Sequence, residues 1–524
     1  MSGEELASDG HGLTLRSGLA GMPHRQAAGL ARPGGVADNE TSGRQRRQTQ
    51  RSEGVGDGVT FARLGALVEA EMERLGVPGV ALGLLCGDEE HLAGFGITNA
   101  EHPLPVDPDT LYPIGSLSKP LAGTALMRLI EAGALDLEAP VRRYLPELRL
   151  ADEAAAAAVT LRHLVTHTAG WPAHFGGLDD PGDEALARYV ASLVTMQPVL
   201  PPGLHFSYGN VGLAVLARII ERATGQTYER AVRALVLAPL GMSHTFFSAA
   251  EAITHRVAAA HVRRRGVYQV MRPWGPPRFM AAAAGAIAGL RDLLRFARFH
   301  LGEGTAPDGT RLLSAAGLKR MQEPHGPGGS FVYDPLEAVG ITWHLGRVGG
   351  VRVVQHTGRV SRMSALLLLV PERAFAFCLL ANAPAGATLC TLASQWALRE
   401  LLGLADPPDT YVQPAGETLA LYAGRYATPG VAEAEFALDD GAPVLRFRPL
   451  NRADEAALRA TPVAFLDAER MVVTEGSLAG FRGEFVRDAA GRVAWLRWLG
   501  RLLPRIEKSL APAGARSRVD HIPR

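Results

Sequence analysis

A serine stands three residues before a lysine in Ile114-Gly115-Ser116-Leu117-Ser118-Lys119-Pro120, in a chain that otherwise avoids lysine. Of 54 basic residues, only Lys119, Lys319 and Lys508 are lysines; the rest are arginines. Arginine keeps its proton in a protein, whereas a partly desolvated lysine can release it. A position that holds an amine against that bias is a candidate for proton transfer. On a starting helix, positions i and i+3 share a face, so the Lys119 amine can reach the Ser116 hydroxyl. The helix N-terminus carries partial positive charge, which favours an alkoxide and lowers an amine's proton affinity. The pair is thus the minimal kit for a serine nucleophile activated by lysine. The same spacing also fits a helix-capping serine followed by a surface lysine, so alone it is a hypothesis.

Two further segments carry candidate chemistry. In Phe206-Ser207-Tyr208-Gly209-Asn210, a tyrosine hydroxyl can pass a proton to a leaving group, and an asparagine amide can hold a substrate or orient the lysine. A loop tyrosine packing its ring explains the same residues. In Val353-Val354-Gln355-His356-Thr357-Gly358, a strand ends at a glycine, where a rim N–H can receive a developing oxyanion. A β-turn with an incidental histidine is the alternative.

The elements that must position these residues are visible as periodicity. Leu64, Leu67, Val68 and Met72 fall at helical spacing, and order is expected from about Phe61. Val77 to Cys86 and His91 to Phe95 read as paired strands around Gly87-Asp88. Lys119 to Gly133 reads as a helix with Pro120 in its first turn, so it should start near Ser116 or Leu117. Further helices are expected over Val211 to Ala223, stopping at Gly225, and over about Arg291 to Leu301. After Gly340 the pattern turns to strands, including a buried hairpin of Ala365 to Val370 and Ala374 to Leu380 around Pro371-Glu372-Arg373.

At 524 residues, two or three domains are expected. Residues 1–57, rich in Gly, Ser, Arg and Gln, read as a disordered leader. A main domain follows over 58–404, then a linker over 405–413 around Asp406-Pro407-Pro408-Asp409. Residues 414–510 alternate in short segments and read as an accessory β-barrel or sandwich, with a tail over 511–524. No internal repeat is visible.

The net charge of +1 gives no general pull toward nucleic acid or an anionic membrane. No run is apolar enough to span a membrane, and the first residues lack a signal peptide's basic and apolar regions, which points to the cytoplasm. Three cysteines, Cys86, Cys378 and Cys390, lie in apolar runs and form no disulfide framework.

The order of the three motifs resembles the serine β-lactamase-like family: class C β-lactamases, D-alanyl-D-alanine carboxypeptidases, D-aminopeptidases and family VIII esterases (peptidase S12-like). Leu161-Arg162-His163-Leu164-Val165-Thr166-His167-Thr168-Ala169-Gly170-Trp171 is similar to the family's "LLTHTSG" segment. Pro239-Leu240-Gly241-Met242-Ser243-His244-Thr245 is similar to its "PLGM-x-x-T", and Leu380-Ala381-Asn382 to its "LTN" strand end. The resemblance covers about residues 60 to 404. It implies an α/β (α+β) fold: an antiparallel sheet flanked by helices, with an all-α subdomain inserted near residues 140 to 280.

The resemblance implies roles residue by residue. Ser116 would be acylated, Lys119 would be its base or proton relay, and Tyr208 would protonate the leaving group and help activate the deacylating water. Asn210 would contact substrate and Lys119. His356, Thr357 and Gly358 would form the third motif, and the N–H groups of Ser116 and Arg359 the oxyanion hole. The reaction implied is two-step acyl transfer on small esters or D-amino-acid amides and peptides, with no cofactor and no metal. Class C β-lactamases carry lysine where this chain has His356, which binds a carboxylate less firmly when neutral. Arg359-Val360-Ser361-Arg362 also departs from the family's glycine-rich continuation, and its arginines either bind an anionic group or are solvated. A catalytically retired binding or scaffold protein, and a true β-lactamase or D-Ala carboxypeptidase, remain alternatives. His163 and His167 have zinc-helix spacing, but no His-Glu-x-x-His accompanies them. There is also no Gly-x-Ser-x-Gly elbow.

Overall fold

A computed structural model describes residues 58–506, apart from 178–179, 273, 332–333, 430–431 and 450–459. The expected leader and tail lie outside the described residues. The helices used below are α1 (Gly58–Leu75), α2 (Ser118–Glu131), α3 (Val211–Thr224), α4 (Leu290–Leu301), α5 (Gly386–Leu402) and α6 (Gly416–Tyr422). The main sheet is formed by β1 (Gly79–Cys86), β2 (Glu89–Gly96), β3 (Gly326–Phe331), β4 (Asp334–Val339), β5 (His344–Val348), β6 (Val351–Val360), β7 (Met363–Val370) and β8 (Phe375–Ala381). Its order is β2-β1-β8-β7-β6-β5-β4-β3, and the described pairs are antiparallel.

The central strands are continuous apolar runs because both sheet faces are covered. Every residue of β7 and β8 is buried. The period of two splits their side chains between two cores. Leu366, Leu368 and Val370 pack with Leu64 and Val68 of α1 and with Leu389 and Ala393 of α5. Leu367, Leu369, Cys378 and Leu380 face the other way, onto Leu290, Leu293 and Leu294 of α4. Cys86, Cys378 and Cys390 are free thiols, the last two buried. Strands β6 and β7 join through Ser361 and Arg362, with φ of 47° and 68°, so the departure after Gly358 is a two-residue hairpin turn.

Helix α3 ends at Gly225 with φ +67°, as its sequence predicts. Within the inserted segment two strand pairings depart from the all-α expectation: Thr245–Phe246 pairs with Ile287–Ala288, and a hairpin forms further along the chain. His261–Arg264 pairs with Val267–Val270 across Arg265 and Gly266, whose φ of 51° and 83° make a tight turn.

The C-terminal strands are β9 (Gly424–Thr428), β10 (Ala432–Asp439), β11 (Ala442–Pro449), β12 (Thr461–Phe465), β13 (Arg470–Val473), β14 (Arg482–Arg487), β15 (Val493–Trp498) and β16 (Arg501–Ile506). They close into a barrel, which decides between the two expected architectures. Its interior is filled by Tyr422, Tyr426, Phe436, Phe465, Phe485 and Trp498, with the Tyr422 and Phe485 rings stacked at 4.1 Å. Helix α6, not anticipated from the sequence, supplies Leu419 and Tyr422 to this core.

Candidate functional site

Ser116 sits in a 3-10 turn, Gly115–Leu117, that runs directly into α2. From Leu111 to Met127 every residue is buried except Ser116, so the run opens at the hydroxyl-bearing position. The preceding glycine is dictated by packing: Gly115 has φ +56°, and a Cβ there would lie 2.7 Å from the Arg359 backbone N. Gly358 is equally constrained, because a Cβ would meet the Ile114 carbonyl oxygen at 2.0 Å. Strand β6 therefore lies against the turn that carries Ser116.

The register of β6 fixes which backbone groups face that turn. Val360 pairs with Met363 next to the two-residue turn, and Arg359 pairs with Ser364. In such hairpins the pair flanking the turn exchanges hydrogen bonds and the next pair does not. The Arg359 N–H consequently points away from β7, to the edge that abuts Gly115. The Thr357 carbonyl points the same way, and His356 Nδ1 lies 2.7 Å from it. The N–H groups of Arg359 and of Ser116, at the helix start, can thus converge on one oxygen.

Lys119 is completely buried. Its Nζ lies 3.0 Å from Ser116 Oγ, 2.9 Å from Asn210 Oδ1 and 2.7 Å from the Ala283 carbonyl oxygen. Burial, and then the charge of Arg501, push its proton affinity well below the usual lysine value. A neutral amine has two N–H bonds and one lone pair. Asn210 Oδ1 and the Ala283 carbonyl only accept, so they take the two hydrogens. In the unprotonated amine the lone pair would then face the Ser116 hydroxyl. Asn210 Nδ2 lies 3.4 Å from His174 Nδ1, which fixes the amide orientation. Ala283 belongs to a π-helical turn, Ala281–Gly285.

The Tyr208 hydroxyl donates to Ser116 Oγ at 2.8 Å. Burial raises its pKa to about 12, opposed by that hydrogen bond and by Arg501. It is therefore a proton donor over the whole ordinary pH range. Its ring is walled by His167, Phe331, His344 and His356, with centroids at 4.6, 5.4, 5.9 and 6.2 Å. The imidazoles of His344 and His356 stack at 4.3 Å. Burial lowers the pKa of all three histidines, that of His344 to about 3. Uncharged rings can pack together without repulsion. His356 is fully buried in this wall, away from the rim. Arg359 extends an exposed side chain.

The accessory barrel reaches this centre. The hairpin of β15 and β16 turns at Leu499 and Gly500, with φ of 53° and 75°. Tyr208 N–H donates to the Gly500 carbonyl at 2.8 Å, Leu502 N–H to Ser207 Oγ at 3.2 Å, and Arg497 Nε to the Phe206 carbonyl at 3.3 Å. A Cβ on Gly500 would strike Phe331 at 2.2 Å. Arg501, next in the hairpin, acts electrostatically on both Lys119 and Tyr208.

The structure thus brings Ser116, Lys119, Tyr208 and Asn210 into hydrogen-bonding distance and sets β6 beside them. Thr357 instead lines a cavity together with Gln355 and α5. Sequence reasoning missed Ala283, His344 and Arg501. None has a local motif, and each arrives from a distant element. His163 and His167 do not share a helix: the helix Leu161–Val165 ends between them. His163 Nδ1 accepts from Thr160 N–H in a capping box, and His167 Nδ1 accepts from Gly209 N–H at 3.4 Å. Among the described residues, no helix is long and apolar enough to cross a membrane.

Fold and site define a β-lactamase-type chain, and the comparisons agree. The family model "Beta-lactamase" matches residues 64–417, and this chain belongs to that family of β-lactamase-fold serine hydrolases. It is 32% identical over 362 residues to penicillin-binding protein 4 of Amycolatopsis lactamdurans, covering 68% of this chain and 94% of that one. It is 31% identical over 361 residues to esterase EstB of Burkholderia gladioli, covering 59% and 89%. The crystal structure of SurE with D-Leu superposes with a TM-score of 0.66 at 26% identity, covering 86% of this chain and 100% of that one.

Proposed function

We propose that this protein is a serine hydrolase that transfers acyl groups through an ester on Ser116, acting on small esters or on amides and peptides of D-amino acids. One observation carries the reading: the buried Lys119 amine lies 3.0 Å from Ser116 Oγ and has acceptor-only partners in Asn210 Oδ1 and the Ala283 carbonyl, an arrangement that leaves a neutral amine's lone pair for the Ser116 hydroxyl. Lys119 takes the serine proton as Oγ attacks the carbonyl carbon. The N–H groups of Ser116 and Arg359 receive the oxyanion. Tyr208, already donating toward Oγ, passes a proton to the leaving group. Water then attacks the acyl-serine by the reverse of these transfers.

Three features support the substrate class. A relative carries the name esterase, and a structural relative was crystallised with D-Leu. Arg501 sets a positive charge near Lys119 and Tyr208, suited to a substrate carboxylate. A β-lactamase would hold that carboxylate with a lysine at the position of His356, which here is buried and uncharged. The intact geometry around Ser116 speaks against a retired scaffold protein. The test is a kinetic panel of nitrophenyl esters, D-amino-acid amides, D-alanyl peptides and a chromogenic cephalosporin. Turnover is expected for the esters or the D-amino-acid substrates. Hydrolysis of the cephalosporin alone, or of nothing, would overturn the reading.

A further inference from the structure

A cavity of about 430 Å³ lies beside the strand that abuts the nucleophile turn, and neither Ser116, Lys119, Tyr208 nor Asn210 lines it. Its walls come from β3 to β7, from α5, from the segment after Leu404 and from Arg482 of the barrel, and two of its lining residues, Phe331 and His344, also flank the Tyr208 ring. Its size falls within the roughly 300–1,000 Å³ usual for small-molecule sites. Strand β6 serves both spaces by its period of two. Val353, Gln355 and Thr357 line the cavity, while His356 is buried against Tyr208. Gly358 and Arg359 also line it, and these two residues lie against Ile114 and Gly115. The near end of the cavity is therefore adjacent in backbone terms to Ser116.

The lining has a definite chemistry. Val353, Leu366, Leu368 and Leu398 make an apolar floor. Over it stand neutral hydrogen-bonding side chains: Gln355 and Thr357 from β6, Thr391 from α5. Thr391 Oγ1 bonds back to its own helix at 3.3 Å, whereas the side chains of Gln355 and Thr357 make no hydrogen bond within the described residues. The charges at the margin are largely matched, with Arg482 held by Asp409 at 2.9 Å and Arg347 beside Glu337 at 3.4 Å. A carboxamide and a hydroxyl over an apolar floor recognise an amide.

We infer that this cavity is a second binding site for the substrate, taking an apolar, amide-bearing group carried beyond the bond cleaved at Ser116. The inference rests on the proposed hydrolase reading and deepens it. It assigns the protein an extended peptide-like substrate, with the reacting carbonyl at Ser116 and a distal residue in the cavity.

The test compares Thr391→Trp, which fills the cavity, and Gln355→Leu, which removes its amide partner without adding bulk, with the wild type. Neither residue belongs to the acyl-transfer centre. The substrates are nitrophenyl acetate and two esters extended by an N-acyl-leucyl group, on the acyl side in one and on the leaving side in the other. One extended ester should exceed the acetate in kcat/KM by about tenfold or more. Both variants should lose that advantage while keeping acetate turnover within about twofold of the wild type. The inference is overturned if neither extended ester outperforms acetate. It is also overturned if Gln355→Leu lowers all substrates alike. Loss of acetate turnover in the wild type would instead strike the hydrolase reading. Circular dichroism melts check that each variant is folded, and Gln355→Leu decides should Thr391→Trp fail to fold.

Discussion

Lys119 and Ser116 stand in a chain that uses arginine almost everywhere else, and the amine's surroundings explain why arginine would not serve. The buried Nζ needs two hydrogens for Asn210 and Ala283 and a lone pair for Ser116. A guanidinium offers no lone pair at any ordinary pH. Lys119→Arg should therefore lower kcat/KM by about 10²–10⁴-fold, the usual worth of a general base, although the positive charge is kept. Retained turnover would contradict the proposed role. The pH profile follows with its sign. In the proposed mechanism the amine works when unprotonated, and its proton affinity is held well below 10.5, so activity should rise with pH through an acid limb displaced downward from lysine's usual range. Tyr208 in its proposed role works when protonated, so the alkaline limb should wait until about pH 12. Steady-state kinetics across pH checks both limbs. Ser116 and Lys119 were legible in the sequence because a spacing of three on a helix fixes their proximity. Ala283 and His344 were not, because a carbonyl in a π-turn and an imidazole on β5 carry no local signature.

At the scale of elements, the site depends on how closely β6 approaches the turn before α2. Gly115 and Gly358 permit that approach from opposite sides. Gly115→Ala would set a Cβ 2.7 Å from the Arg359 N and force a positive φ on a side chain. The strand must then shift from the serine. A displacement on the order of 1 Å costs about 10²-fold in rate, which is the loss expected in kcat with the melting curve largely preserved. Unchanged kcat would mean that β6 does not position the oxyanion donor. The helices and the central strands were legible because their periodicity follows from two buried sheet faces. The two-residue turn at Ser361 and Arg362 was not, since neither residue is the glycine or asparagine that such turns favour.

At the scale of the whole molecule, the accessory barrel is hydrogen-bonded to the segment that carries Tyr208, which makes it a neighbour of the candidate site. Its interior is closed by aromatic rings, and its β15–β16 hairpin bonds to the segment that carries Tyr208. The sequence announced a β domain after the linker but not that its far end returns to Ser116, because that contact joins residues nearly 300 positions apart, as between Tyr208 and Gly500. Arg501 makes the contact measurable. Its positive charge lowers the proton affinity of both Lys119 and Tyr208. Arg501→Ala should move both limbs of the pH profile to higher pH, and Arg501→Lys should restore them; limbs that stay in place would exclude the electrostatic role. The proposal as a whole stands on an acyl bond at Ser116, and intact-protein mass spectrometry after treatment with a fluorophosphonate reports it most directly. The wild type should gain one adduct, mapped by peptide digestion to Ser116, and Ser116→Ala should gain none. An unlabelled wild type, or equal labelling of Ser116→Ala, would contradict the account.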